Sequence, residues 1–225
     1  MNNIFHENLV FAKKCTIFAT INCMKPKSLT YILVMLLFAS CVHKTRQECI
    51  LPKDAQLQAG DIVLRCGTGI ESRAVRFADN GGVYSHIGIV VDSAGTMMIV
   101  HAVPGEPDFE GDEDRVKMER PEKFFSSINA CSGEVLRTSD KNAASIAADR
   151  AKGFYRRNIK FDHDYDDTDS TRLYCTELVL LSYKDAGRMF KNVEHHDVPA
   201  PGINCPVVYP SDIKKDKEFK SIYIF

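Results

Sequence analysis

The sequence predicts one α+β domain in which an antiparallel sheet packs against a helix that carries a cysteine. Two neighbouring runs rich in β-branched residues, HIGIVVD (86–92) and MMIVHAV (97–103), predict a β-hairpin closed by residues 93–96. The segment LYCTELVLLSYKDAG (173–187) has the clearest helical pattern in the chain and ends at a glycine. At 225 residues and 44% hydrophobic content, the chain is long enough to bury a sizeable core in one domain.

The elements before and after the hairpin follow from local patterns. Gly60-Asp61 opens the strand run IVLRCG, and residues 70–79 have helical spacing that stops at the turn sequence Asn80-Gly81-Gly82. After the hairpin, the acidic segment 104–115 contains Pro and Gly and predicts a loop, and residues 133–138 predict a further strand.

The second half is predicted to be more helical. Asp140 can cap an Ala-rich helix that continues to about Lys152, and the polar segment 161–170 predicts a loop before the helix at 173–187. The Pro-rich residues 199–210 lead to a turn capped by Ser211 and to the apolar tail SIYIF. No repeat or linker divides the segment 57–225, which we expect to be one domain.

Charge and composition exclude several classes of protein. The 29 Lys and Arg residues nearly balance the 30 Asp and Glu residues, and no run of basic residues is present. A nucleic-acid-binding domain would show a basic face or stripe, so we expect no nucleic-acid partner. The hydrophobic content is also too high for a disordered chain.

The first forty residues predict an export signal. The apolar run at 29–39 is shorter than the roughly 20 residues of a membrane span, and Lys25 and Lys27 precede it, as in a signal peptide. A complete signal of this kind begins at Met24, which we therefore expect to be the true start. The end of the run, Phe38-Ala39-Ser40-Cys41, resembles a lipobox, which predicts lipidation of Cys41 in a bacterial cell envelope; a plain secretory signal is the alternative.

The eight cysteines then divide by position. Cys15 and Cys23 fall in the signal segment, Cys41 would carry the lipid, and residues 41–56 would form a tether to the domain. The domain side retains an odd number of thiols, at Cys49, Cys66, Cys131, Cys175 and Cys205. In an oxidising compartment at least one of these stays free, and up to two disulfides can form, with a pairing that the sequence leaves open.

Cys175 has the position expected of a nucleophile. It follows a polar loop and lies at the start of the strongest predicted helix, where the helix dipole can favour a thiolate. The amides at that helix end could also stabilise the oxyanion of an acyl intermediate. The alternative is a structural cysteine buried in an amphipathic helix.

Two histidines are candidates for the base and its partner. His86 begins one strand of the hairpin, and a catalytic cysteine needs a base about 3 Å away. His101 lies near the end of the other strand, so hairpin pairing would bring it next to His86, where it could hold the imidazole in one tautomer. Either histidine could instead be an ordinary hydrogen-bonded residue at a strand end.

Weaker signals surround these three residues. Tyr84 and Tyr174 flank the histidine and the cysteine and could line a pocket or support an oxyanion site, and Asp61 could buttress it. The acidic run at 162–169 lacks the Gly and Glu of a calcium-binding EF-hand loop, and a solvated loop beside the site is the better interpretation. The pair His195-His196 predicts polar surface. We expect no metal and no cofactor.

Four motifs follow one another along the chain: GDIVLR, YSHIGIVVD, IVHAVP and YCTELVLLSY. In these motifs and their order, the chain resembles the circularly permuted papain-like hydrolases of the YiiX/YaeF type, within the NlpC/P60 superfamily. In that group the histidine strands precede the cysteine helix. The resemblance extends from about Leu57 to Phe225, including the final YPSDI segment. Many members have Glu where this chain has His101, and lecithin retinol acyltransferase-like proteins are similar in having His there.

The resemblance implies a Cys-His-His mechanism in which Cys175 attacks a carbonyl, His86 moves the proton and His101 orients His86. It implies an envelope amidase or peptidase, a monomer, that acts on cell-wall peptides or N-acyl amino acids. Lipid acyl hydrolysis or transfer is a second interpretation. The third is a lipoprotein that binds an acyl or peptide ligand without catalysis.

Overall fold

The structure is a computed structural model that describes residues 48–166, 168–187, 190–198 and 206–225. The predicted signal segment, the lipidation site Cys41 and the thiol of Cys205 lie outside these residues. Within them, no helix is both long and apolar enough to cross a membrane.

One eight-stranded, largely antiparallel sheet forms the centre of the domain, and five helices accompany it in the described residues. The strands are β1 (Ile62–Gly67), β2 (His86–Ser93), β3 (Thr96–Val103), β4 (Arg115–Glu119), β5 (Ala130–Thr138), β6 (Lys160–Phe161), β7 (Arg172–Leu173) and β8 (Phe219–Ile224). Their order across the sheet is β7-β6-β4-β3-β2-β1-β5-β8, and only β6 and β7 pair in parallel. The predicted α+β class is confirmed.

The helices are α1 (Ile70–Ala78), α2 (Pro121–Phe124), α3 (Lys141–Arg156), α4 (Cys175–Tyr183) and α5 (Pro210–Lys214). Asp140 caps α3 as predicted, because its Oδ1 accepts a hydrogen bond from the amide of Ala143 at 2.9 Å. The residue before α5 is Tyr209, so the predicted Ser211 cap is wrong. Ser211 Oγ donates instead to Asp79 Oδ1 at 2.6 Å.

The sheet has two covered faces. The side chains of Ile62, Leu64, Ile87 and Ile89 are buried together with apolar residues of α3, α4 and α5. On the opposite face, the smaller cluster is Val63, Val90, Ile99, Phe124, Phe125, Ala130 and Val135. Because side chains alternate along a strand, each strand contributes to both clusters.

Part of the predicted tether (41–56), from residue 48 on, falls within the described residues, and it packs against the domain. Ile50 and Leu51 pack against the second cluster, and the amide of Ile50 donates to the carbonyl of Phe125 at 2.9 Å. Residues 49–51 therefore lie against the domain, where burial of their apolar side chains on the second cluster is favourable.

The hairpin that the histidines depend on is confirmed. β2 and β3 pair antiparallel from Ile89 opposite Val100 to Ser93 opposite Thr96. Ala94 and Gly95 close the turn with φ of 53° and 82°, both in the left-handed region that a two-residue hairpin turn requires. The start of β2 therefore lies beside the end of β3.

Candidate active site

A cavity of about 250 Å³ opens where the N-terminus of α4 meets the start of β2. Residues from several elements line it, among them Arg65, His86, Glu106, Tyr165, Tyr174 and Cys175. The sequence-predicted cysteine and first histidine therefore share one cavity. His101 lies directly behind His86 and is fully buried.

Cys175 is the first residue of α4, with Tyr174 as the N-cap residue. The carboxylate of Glu177 accepts a hydrogen bond from the amide of Tyr174 at 3.3 Å and so satisfies a donor at the helix start. The Cys175 side chain is half-buried at the cavity. The amide of Ile87, next to His86, lies beside its sulfur.

Burial raises the pKa of the Cys175 thiol to about 11, although nearby amides of Thr176 and Ile87 act in the opposite direction. The expected lowering by the helix N-terminus is therefore outweighed by desolvation of the thiolate. In the described residues no hydrogen bond joins the sulfur to the His86 ring. The resting cysteine is a neutral thiol.

The two histidines are in direct contact, as the hairpin pairing predicts. His86 Nε2 and His101 Nδ1 are 2.8 Å apart, within hydrogen-bond distance, and both rings pack against Phe124. Gly88 makes room for this arrangement. A Cβ added there would come within 2.9 Å of the carbonyl oxygen of Val100 and 3.1 Å of the Cβ of His101.

Glu119, which the sequence analysis missed, lies behind the histidines. On β4 it is two residues beyond Lys117, the residue opposite His101, and so lies on the same face of that strand. Its Oε1 is 3.1 Å from His101 Nε2, and its Oε2 is 3.0 Å from the ammonium of Lys123. Neither contact has ideal hydrogen-bond angles, but both are within ion-pair distance.

Glu119 is ionised despite its burial. Burial alone would raise its pKa, but His101 and Lys123 outweigh that effect and lower the pKa to about 2. Sequence analysis could not place this residue, because RVKME is a short run of mixed charge after an acidic loop and contains no strong strand signal.

The charge on Glu119 favours one tautomer of each histidine. When both rings are neutral, a carboxylate 3.1 Å from His101 Nε2 favours the proton on that nitrogen, and His101 Nδ1 can then accept from Nε2–H of His86. The remaining ring nitrogen of neutral His86, Nδ1, is then unprotonated. The arrangement leaves His86 with one basic nitrogen.

Arg65 is a second residue that the sequence analysis missed. It lies directly opposite His86 across β1 and β2 and is 2% exposed. Its Nη1 donates to the carbonyl of Phe124 at 2.9 Å, its guanidinium covers the Phe124 ring, and its Nη2 forms an ion pair with Glu106. Burial, followed by the nearby Arg65 guanidinium and the adjoining His101 ring, lowers the pKa of His86 well below its ordinary value. His86 is therefore neutral at rest.

Of the three residues predicted to support the site, Tyr84, Tyr174 and Asp61, the structure places Tyr174 at the cavity. Tyr174 lines the cavity, and its ring is 5.5 Å from that of Tyr165, another residue that the sequence analysis did not identify. Burial raises the pKa of Tyr165 to about 12, so its hydroxyl stays protonated and can donate.

Asp61 and Tyr84 are corrections to the predicted site, because the structure does not bring them to the cavity. Asp61 precedes β1, where it forms an ion pair with Arg137 at 2.6 Å and accepts from the amide of Gln58 at 2.7 Å. Tyr84 is buried in the first cluster, with the ammonium of Lys214 5.3 Å from its ring centre.

The acidic loop has a structural role. Asp162 is buried, and its carboxylate accepts hydrogen bonds from the amides of Asp164 at 3.1 Å and Asp166 at 2.6 Å. The loop therefore folds around its first carboxylate and positions Tyr165 at the cavity.

One group with the spacing of metal ligands is present among the described residues: Glu194, His196 and Asp212, whose ligand atoms lie within 4.8 Å of one another. The Asp212 carboxylate is already engaged. It contacts His196 at 3.0 Å, accepts from the amide of Tyr209 at 3.0 Å and forms an ion pair with Lys215 at 2.9 Å.

Comparison with known proteins supports the fold. The crystal structure of the metalloprotein YiiX from Escherichia coli O157:H7 is similar, with a TM-score of 0.59 and 21% sequence identity over 75% of this chain and 98% of that one. No protein-family model and no curated protein matches the sequence. The chain therefore has a YiiX-like fold.

Proposed function

We propose that this protein is a cysteine hydrolase with a permuted papain-like arrangement, which cleaves an amide bond through an acyl-enzyme. The observation that carries the proposal is the buried series His86–His101–Glu119, whose first member shares a cavity with Cys175. Three polar side chains in contact, each fixing the protonation of the next, have the arrangement of a base and its orienting groups.

The reaction begins with a neutral thiol and a neutral imidazole. As the Cys175 sulfur bonds to the substrate carbonyl carbon, its proton passes to Nδ1 of His86 and the carbonyl electron pair becomes an oxyanion. Amides at the start of α4, beside the Cys175 sulfur, can donate to that oxyanion. Collapse of this intermediate breaks the C–N bond, and the imidazolium returns its proton to the departing amine.

Water completes the cycle. His86 takes a proton from a water molecule that attacks the thioester, and breakage of the C–S bond releases the acid and restores the thiol. In both half-reactions His86 is transiently cationic. His101 and ionised Glu119 stabilise that cation, while Arg65 keeps the resting base unprotonated.

The cavity size favours a compact group at the reacting carbonyl. Its volume of about 250 Å³ is below the roughly 300–1,000 Å³ of pockets that enclose drug-sized ligands. A cell-wall peptide or an N-acyl amino acid can present its amide here while the rest of the molecule extends outside. A long lipid chain would need more enclosed apolar space than this.

The similar YiiX structure is that of a metalloprotein. Here the group of Glu194, His196 and Asp212 offers a poor fit, because Lys215 already compensates the buried carboxylate and the Tyr209 amide occupies the oxygen that faces His196.

The location in the cell is part of the proposal and rests on the sequence alone. The apolar run and the residues before Cys41 support a lipid-anchored protein of a bacterial envelope, where peptide cross-bridges and acylated amino acids are available substrates.

The test is turnover on peptidoglycan peptides, N-acyl amino acids and phospholipids by wild type, Cys175→Ser and the control Cys49→Ser. We expect amide hydrolysis by wild type and by Cys49→Ser, and none by Cys175→Ser. Equal rates for wild type and Cys175→Ser would refute the proposal. Binding of an acyl or peptide ligand without turnover would indicate a binding protein, and phospholipid deacylation alone would indicate a lipid hydrolase.

A further inference from the structure

Two cysteines outside the proposed catalytic series lie in contact. Cys66 is in β1 and Cys131 is in β5, 65 positions apart in the sequence, and their sulfur atoms are 2.7 Å apart. The sulfur of Cys131 is also 3.3 Å from the carbonyl oxygen of Cys66. Two thiols that approach this closely need only a small adjustment to reach the bond length of a disulfide, about 2.05 Å.

A β-bulge produces the contact. Cys66 pairs with Ser132 and the next residue, Gly67, pairs with Ala130, so Cys131 is an extra residue with no partner in the ladder. A bulge re-aims the side chain of the extra residue. Here it brings the sulfur of Cys131 onto that of Cys66.

We propose that Cys66 and Cys131 form a disulfide bond that fixes β1 to β5 at the rim of the cavity. The bond would lie next to Thr68 and Asn129, two residues that line the cavity. It would join strands already paired in the sheet, so it requires no rearrangement of the fold. The inference does not depend on the catalytic proposal, because neither cysteine takes part in it.

The other two cysteines in the described residues, Cys49 and Cys175, lie elsewhere in the fold. Cys49 packs against the second cluster, with its sulfur 4.0 Å from the carbonyl oxygen of Pro121, and Cys175 begins α4. Cys66 is 4% exposed, whereas Cys131 is exposed to solvent. An oxidant can therefore reach the pair through Cys131.

The chemistry is thiol–disulfide exchange with a small or protein disulfide as the oxidant. The Cys131 thiolate attacks the oxidant disulfide, which forms a mixed disulfide and releases one thiol. The Cys66 thiolate then attacks the Cys131 sulfur, which forms the Cys66–Cys131 bond and releases the second thiol. Two protons from the protein thiols end on the two released thiols, and the oxidant is reduced by two electrons. An oxidising envelope supplies such disulfides.

The test uses the full chain with oxidised glutathione or dithiothreitol, followed by alkylation and peptide mapping by mass spectrometry. We expect a cross-linked peptide pair containing Cys66 and Cys131 after oxidation, with Cys49 and Cys175 alkylated as free thiols. The Tm should be about 5–15 °C higher in the oxidised than in the reduced protein, as expected for a typical disulfide in a domain of this size.

Two variants make the result decisive. Cys131→Ser, a change at an exposed position that should fold, should abolish both the cross-link and the redox dependence of Tm. Cys49→Ser is the matched control and should retain both. The proposal is overturned if Cys66 and Cys131 are alkylated separately after oxidation, if either is cross-linked to a different cysteine, or if the Tm of wild type does not respond to oxidation.

Discussion

Removal of the charge on Glu119 should slow the proposed reaction without removing its chemical groups. In Glu119→Gln the side chain keeps its size but can no longer stabilise an imidazolium on His86. The carboxylate and the His86 ring are separated by one imidazole, with contacts of 3.1 Å and 2.8 Å on its two sides.

The expected loss in kcat/KM of Glu119→Gln follows from that geometry. Across a separation of about 8 Å and an effective dielectric constant of about 20, one charge stabilises the other by about 2 kcal/mol. Loss of that amount from the transition state lowers kcat/KM by about 30-fold. Cys175→Ser should abolish turnover altogether, so Glu119→Gln should retain measurable activity far above that background.

The assay is kcat/KM on an amide substrate that wild type hydrolyses, with Tm recorded for each variant. Glu122→Gln is the matched control, because Glu122 is an exposed acidic residue three positions away. Unchanged activity in Glu119→Gln would refute the inferred role of the carboxylate. A loss as complete as that of Cys175→Ser, in a variant that is still folded at the assay temperature, would also refute it, because a charge behind His101 cannot be essential to the bond-making step.

The alkylation rate of Cys175 by iodoacetamide should rise continuously between about pH 6 and about pH 10, because burial places its pKa at about 11; quantitative peptide mass spectrometry measures it. Glu119→Gln should be less stable than wild type at neutral pH by at most about 3 kcal/mol. That difference should close as pH falls from about 4.5 towards about 2, since a lowered folded-state pKa contributes stability that is lost on protonation; urea unfolding at several pH values measures it. Gly88→Ala should destabilise the fold by about 1–3 kcal/mol and lower kcat, because its methyl group would meet the Val100 carbonyl and the Cβ of His101; thermal unfolding and turnover measure both effects.

Each of these predictions can be contradicted by its own measurement. A plateau of Cys175 alkylation around neutral pH would reveal a preformed thiolate. A stability difference for Glu119→Gln that stays the same down to pH 2 would show that it does not arise from the ionised carboxylate. Gly153→Ala, in the last turn of α3, is the control for Gly88→Ala, because its added Cβ would make only an ordinary 3.6 Å contact with the end of the Arg157 side chain; it should be neutral or stabilising.

The hairpin and the positions of the two histidines were predictable because they depend on local pairing. Two apolar runs rich in β-branched residues, joined by a short turn, predict a hairpin, so His101 beside His86 follows from the pattern. The start of α4 was predictable within two residues because the helical pattern of 173–187 is also local, but the helix ends at Tyr183 and not at the predicted Gly187.

The rest of the site depends on contacts between distant segments. Glu119 reaches His101 only because β4 pairs with β3, and Arg65 reaches His86 only because β1 pairs with β2. The thiol pKa was mispredicted because burial of Cys175 depends on how the cavity closes around it. Such effects are not visible in the order of residues along one segment.

The most direct test of the central claim is to identify the atom that becomes acylated. Wild type is incubated with an activated acyl ester, quenched in acid and mapped by peptide mass spectrometry. A thioester on Cys175 that is absent in Cys175→Ser and accumulates much more slowly in His86→Ala is the predicted result. Acylation at any other residue, or equal acylation of Cys175 with and without His86, would contradict the account.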